Sequence, residues 1–94
     1  MNDDSIYSQP GILKKLISLL TDILQTEITD EMVEIPRTEV ENWDSINHFR
    51  FIEEMETLFD ITISDDEAVA LTSLRQVENL IEGRRVLSNP GEKN

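Results

Sequence analysis

The sequence predicts an all-α domain, a small four-helix bundle with a long loop between its first two helices and a short third helix. Three observations predict it. Apolar residues recur at three- and four-residue spacings in two long stretches. Two further stretches open with serine followed three residues later by Glu or Gln, the signature of a capped helix start. Only three Gly and three Pro punctuate the 94 residues, and no Asn-Gly type turn separates alternating runs, so nothing supports hairpins.

The first helix follows from Ile12, Leu13, Leu16, Ile17, Leu20, Ile23 and Leu24, one apolar stripe over about four turns, with Pro10 where a first-turn proline is tolerated. Between Thr26 and Trp43 the periodicity fails. Six carboxylates interrupt isolated apolar residues there, and Pro36 forbids a continuous helix. A connection of that length in a small domain tends to be functional. Helical spacing returns after Asp44, a natural N-cap, and Ile46, Phe49, Ile52, Met55 and Phe59 are expected on one broad core face. Phe59 to Ile63 reads as an extended connection. Ser64 and Glu67 cap a short helix through Leu71, which acts as a lid over the bundle. Ser73 and Gln76 open the last helix, which carries Leu74, Val77, Leu80 and Ile81 and is expected to stop at Gly83. The domain is then 1–83, with 84–94 a flexible tail.

Composition limits the function classes. Twenty acidic against eight basic residues give a net charge of −12, which repels phosphate backbones and anionic membranes and favours basic protein partners. The absence of cysteine removes thiolate nucleophiles and Cys-type zinc sites. No window approaches a membrane span, the acidic start Met-Asn-Asp-Asp-Ser has no apolar core of a leader, and no stretch supplies an Asp-rich calcium loop. The expectation is a cytoplasmic monomer without nucleic acid, membrane or metal. So small a chain has little room for a deep, water-excluding active site.

Asp44, Ser45 and His48 lie within five residues and invite a nucleophile–base reading, Ser45 activated by His48. Helical geometry opposes it, because Asp44 would cap the helix rather than orient the imidazole, and no oxyanion loop accompanies the serine. His48 is expected to be a partly exposed helical side chain, and Trp43 a loop anchor packed on the first helix.

The run Asn42-Trp43-Asp44-Ser45-Ile46, the acidic helix ending Met55-Glu56-Thr57-Leu58-Phe59-Asp60-Ile61-Thr62-Ile63, then Asp65-Asp66-Glu67 and Leu71-Thr72-Ser73-Leu74, resembles the acyl carrier protein family. The likeness runs without gaps from about Glu41 to Ile81 and by helix pattern back to Ile12. The family's Asp-Ser-Leu motif stands here as Asp44-Ser45-Ile46. By resemblance Ser45 receives a 4′-phosphopantetheine arm from coenzyme A through a phosphopantetheinyl transferase, with Asp44 part of the motif that the transferase recognises. The chain is then a non-catalytic carrier of acyl thioesters for fatty-acid, lipid or specialised-metabolite synthesis; aminoacyl, peptidyl or polyketide cargo is the alternative within the class. The family's cargo slips between the second and third helices, which implies a cleft lined by Ile46, Phe49, Ile52, Met55, Ile63, Ala68 and Leu71, narrowed by Phe49 and Phe51.

Nine acidic residues and one basic, Arg50, lie between Glu41 and Glu67. The resemblance makes Glu41, Asp44, Ile46, Glu53, Glu56, Asp60, Asp65 and Asp66 the docking surface for basic patches on acyl-loading, condensing or acyltransferase enzymes. Arg50 and Asn47 depart from the acidic pattern of the usual fatty-acid carriers, and Trp43 and His48 look more like dedicated carriers of specialised pathways. The competing class is an acidic helical interaction module, binding a basic partner or mimicking nucleic acid, with no prosthetic group.

Overall fold

A computed structural model describes residues 11–87 of the chain, with side chains as far as Arg84. Four α-helices follow one another: α1 (Gly11–Leu24), α2 (Ser45–Phe59), α3 (Asp65–Ala70) and α4 (Leu74–Leu87). Among the described residues there is no strand. Two long helices and then a short one are observed as expected, but α4, expected to be of medium length, is as long as α1 at 14 residues, and the Pro10 first turn lies outside the described residues.

The α1 stripe narrows to a four-residue spacing, Ile12, Leu16, Leu20 and Leu24, all buried. Leu13, Ile17 and Ile23 flank it half-buried. Against this ridge pack α2, through Phe51, Ile52 and Met55, and α4, through Leu74, Val77 and Ile81. Leu16, Leu20, Phe51, Met55, Val77 and Ile81 are essentially inaccessible. At roughly 1.5–3 kcal/mol for each large apolar side chain removed from water, this cluster is the main force holding the helices together.

The connection between α1 and α2 is not a solvated loop. It makes two 3-10 turns, Asp30–Met32 and Arg37–Glu39, and sends Ile28, Val33, Val40 and Trp43 into the core. Isolated apolar residues in an acidic stretch are thus four anchors. Backbone bonds tie the loop to the far end of the chain: Arg37 N–H donates to Thr72 O (2.7 Å) and Arg75 N–H to Val33 O (2.9 Å). The Arg37 guanidinium adds Nε to Leu71 O (2.9 Å) and Nη2 to Val69 O (3.4 Å), satisfying carbonyls at the C-terminal end of α3 that the helix leaves orphaned.

Phe59 is still helical and Asp60 ends α2 in the left-handed region (φ 57°), so the connection expected to be extended from Phe59 begins only at Ile61, and Ile61 to Ile63 have no regular secondary structure. The capping box of α3 is formed in both directions, Glu67 N–H to Ser64 Oγ (3.1 Å) and Ser64 N–H to Glu67 Oε1 (2.9 Å). At α4 only half of the expected box forms. Ser73 Oγ accepts from Gln76 N–H (3.3 Å), but the Gln76 amide oxygen reaches back to Thr72 N–H (2.9 Å) rather than to Ser73. The helix also passes through Gly83 to Leu87, so Gly83 is no stop and the proposed boundary at 83/84 falls inside a helix. One interior glycine costs only about 1 kcal/mol against alanine, which the buried Val77 and Ile81 outweigh. Residues 88–94 of the proposed tail lie outside the described residues.

Candidate functional site

The N-terminus of α2 is positioned by a turn that closes onto the end of α1. Asn42 takes the left-handed conformation (φ 69°), which asparagine tolerates, and its Nδ2 donates to Leu24 O (3.1 Å) and Thr26 Oγ1 (2.9 Å). Its own carbonyl accepts from Asp44 N–H (2.9 Å) and from Asn47 Nδ2 (2.9 Å). Trp43 is thereby turned inward and buried, while Asp44 and Ser45 are exposed. Asp44 is the N-cap, its Oδ1 accepting from Asn47 N–H (2.9 Å). Ser45 is the first residue of the helix, its position locked from both sides and its side chain facing solvent.

Beneath it lies a buried polar pair. Trp43 Nε1–H donates to His48 Nδ1 (2.9 Å), so the imidazole carries its proton on Nε2 and donates it to Ala68 O (2.8 Å) on α3. Phe51 meets the indole edge-on, ring centroids 5.9 Å apart. His48 is 1% exposed, which corrects the expectation of a partly exposed side chain. Burial pushes its pKa down, the bond to Ala68 opposes this, and the nearby Arg37 charge lowers it further. A neutral ring with both nitrogens committed, on the inner face of the helix, has no lone pair to offer Ser45. The Ser45–His48 dyad is not assembled.

The outer face of α2 differs from the expectation in a second way. At about 100° per residue, Ile46 and Ile52 stand roughly 120° apart, too far for one narrow helix face to hold both. Ile52, Met55, Ile63, Ala68 and Leu71 are buried in the core, whereas Ile46 is 74% and Phe49 38% exposed. The seven-residue cleft therefore divides into five core residues and two surface ones; Phe51, expected to narrow it, is wholly buried. Ile46, Phe49, Arg50 and Glu53, at positions i, i+3, i+4 and i+7, instead form an outward stripe, and with Ser45 they line an open depression of about 400 Å³.

Of the expected docking residues, Glu41, Asp44, Ile46, Glu53, Asp60, Asp65 and Asp66 are exposed. Glu56 is half-buried and accepts from Ile63 N–H (2.7 Å), so its carboxylate holds the α2–α3 connection in place. Asp60 also serves as the left-handed C-cap. Ion pairs among the described residues join Arg75 to Glu34 (2.9 Å) and Glu78 (2.5 Å), and Arg84 to Glu67. Arg50 makes none, although Glu53 and Glu54 follow it at one-turn spacing. The grouping of Arg50 with Phe49 and Ile46 beside Ser45 is legible from the 100° step alone; the roles of Arg37 and Asn42 depend on contacts that no local signal announces.

No protein-family model, curated protein or solved structure matches the chain.

Proposed function

We propose that the chain is a carrier protein of acyl-carrier type, which holds acyl groups as thioesters on a 4′-phosphopantetheine arm attached to Ser45. The observation that carries the reading is the placement of Ser45: an exposed hydroxyl on the first residue of an acidic helix, held by the Asn42 turn and buttressed by buried Trp43 and His48. A tethering point needs this combination of access and rigidity, and the protein needs no catalytic group of its own.

The residues present fit the arm. Ser45 opens onto a solvent-facing depression whose lining offers a guanidinium as well as two apolar side chains, matching a phosphodiester followed by an apolar segment. The arm supplies a terminal thiol, the nucleophile that a chain without cysteine lacks. In loading, Ser45 Oγ bonds to the pantetheine-bearing phosphorus of coenzyme A as the pyrophosphate bridge to that phosphorus breaks. Adenosine 3′,5′-bisphosphate leaves, and the serine proton passes to a base on the transferase. Asp44 keeps the helix N-terminus formed throughout, and its unused oxygen faces solvent beside Ser45, available to a transferase-bound cation.

The outward Glu41, Glu53, Asp65 and Asp66 give the carrier its means of meeting basic patches on loading, condensing or acyltransferase enzymes. Surface charges of this kind raise association rate more than affinity, which suits a shuttle that must leave each partner.

Incubation with coenzyme A, Mg²⁺ and a broad-specificity phosphopantetheinyl transferase, followed by intact and fragment mass spectrometry, tests the proposal. Wild type gains one phosphopantetheine, mapped to Ser45. Ser45→Ala gains none while melting within about 0.5 kcal/mol of wild type, as an exposed first-turn substitution should. His48→Gln, if folded, still loads. A folded wild type that resists several transferases would overturn the reading in favour of the acidic interaction module, for which the charge of −12 speaks.

A further inference from the structure

The outward stripe of α2 lies outside the buried core, although the Phe49 ring meets that of His48 edge-on. Ile46 and Phe49 touch solvent although a short distance away the same helix buries Phe51 and Met55 completely. Arg50 is the one basic residue of α2 and has no carboxylate partner among the described residues. Two exposed apolar side chains, an unpaired guanidinium and a carboxylate share a single depression with the serine.

Their chemistry has a counterpart in the arm. Leaving the serine oxygen, a phosphopantetheine arm presents first a phosphodiester anion, then a carbon bearing two methyl groups, then a hydroxyl and amide N–H donors. Leaving Ser45 along the helix, the depression presents apolar Ile46 and Phe49 within about one turn, then Arg50, and Glu53 roughly 12 Å along the axis. Long side chains on a helix lean toward its N-terminus, so Arg50 reaches back toward the serine end. The depression thus offers a cation, an apolar surface and an acceptor, one for each of the arm's anion, paired methyl groups and donors.

We propose that this depression is the resting seat of the proximal half of the prosthetic arm, with Arg50 pairing the phosphodiester, Ile46 and Phe49 covering the paired methyl groups, and Glu53 accepting from the hydroxyl or amide beyond. The proposal rests on the carrier reading of Ser45. It makes the outer face of α2 a binding site for the arm when the carrier is free and a docking face when a partner arrives. A partner that covers Ile46 and Phe49 must displace the arm, and so frees it for the partner's own active site.

The test uses the loaded protein, isotopically labelled, with its arm unlabelled, after mass spectrometry has established one arm per chain. Isotope-filtered NOE spectra are expected to connect the arm's methyl protons with the Phe49 ring and the Ile46 methyls. Amide shifts between unloaded and loaded protein should include Ile46, Phe49, Arg50 and Glu53 as well as the neighbours of Ser45. In loaded Phe49→Ser the NOEs to the remaining Ile46 weaken, and in Arg50→Gln the arm's proton lines in the isotope-filtered spectrum narrow toward those of free pantetheine. Both positions are exposed, and each variant's dispersed amide spectrum reports that it is folded. Loaded wild type whose arm relaxes freely and shows no NOE to either residue overturns the seat but leaves the carrier. Failure of the chain to load overturns the carrier and the seat together.

Discussion

The two long faces of α2 carry similar side chains and have opposite fates. His48, Phe51, Ile52 and Met55 turn inward and are buried, Phe51 and Met55 completely; Ile46 and Phe49, half a turn round the helix with Arg50 and Glu53, stay in solvent. Apolar character alone therefore does not assign a residue to the core. The inner set is held by α1, the Ala68 carbonyl of α3 and the Trp43 anchor, whereas in the outer set Phe49 meets only the edge of its neighbour His48 and Ile46 stands in solvent, so both keep surface for binding.

The largest expected effect separates the two phenylalanines. Phe51→Ala removes a fully buried ring packed edge-on against Trp43 and is expected to cost about 3–5 kcal/mol, much of the stability of a domain this size. Phe49→Ala should change stability by no more than about 0.5 kcal/mol. Urea unfolding of both variants makes the comparison, and equal losses would break it.

Where the sequence announced structure, the signals were local. The α1 stripe, the Asp44 cap and the Ser64–Glu67 box each involve residues within one or two turns, and all three are present. The error at α2 arose from treating Ile46, Phe49, Ile52 and Met55 as one stripe. Each step of three residues falls about 60° short of a full turn, and three such steps carry the series around half the helix. Gly83 misled for a different reason, since burial of α4 against α1 overrides the local propensity to stop. Arg37, His48 and Asn42 were invisible as structural residues because their partners are Leu71, Ala68 and Leu24, distant in sequence. Beyond the expected Asp44 cap, two of the eight expected docking positions have structural roles that their composition does not suggest: Glu56 holds the α2–α3 connection and Asp60 ends the helix. For the site itself, Ser45 and its cap are legible from local signals, and the outward grouping of Ile46, Phe49 and Arg50 beside Ser45 follows from the 100° step once Ile46 and Phe49 are separated from the stripe of Ile52 and Met55.

The inner face is also the face with a pH dependence. His48 is held neutral between a donor, the Trp43 indole, and an acceptor, the Ala68 carbonyl; protonation at Nδ1 would set two donors against each other and place a charge near Arg37. Its pKa in the folded chain lies below the ordinary 6.5, so the unfolded chain binds the extra proton first as pH falls. The stability that the neutral ring contributes is complete above about 6.5 and is lost progressively below it, down to the lowered folded pKa. His48→Gln, which cannot titrate, is expected to cost about 1–3 kcal/mol at pH 7.5 through its disturbed bonds. Its deficit relative to wild type should shrink between pH 6.5 and 5. Comparing the two chains at each pH cancels the carboxylate titrations they share. A constant deficit would mean that the buried ring does not couple folding to pH; a ¹H–¹⁵N titration of the ring nitrogens measures the depressed pKa directly.

The smallest effect has the opposite sign. Glu53 sits on the outer face, exposed, with Glu56 one turn on at i+3 on a chain of charge −12, and it makes no ion pair among the described residues, Arg50 at i−3 included. Like charges at this spacing destabilise a helix by a few tenths of a kcal/mol, and salt screens them. Glu53→Gln is therefore expected to stabilise the chain by about 0.2–0.5 kcal/mol at low ionic strength, a gain that vanishes by about 0.5 M NaCl. Substitution on the inner face removes stability, while on the outer face the native carboxylate already costs a little. That small cost is what a face arranged for binding rather than for folding should show. A Glu53→Gln variant that is less stable than wild type at every salt concentration would place Glu53 among the residues that hold the fold, and the division of α2 into two faces would have to be redrawn.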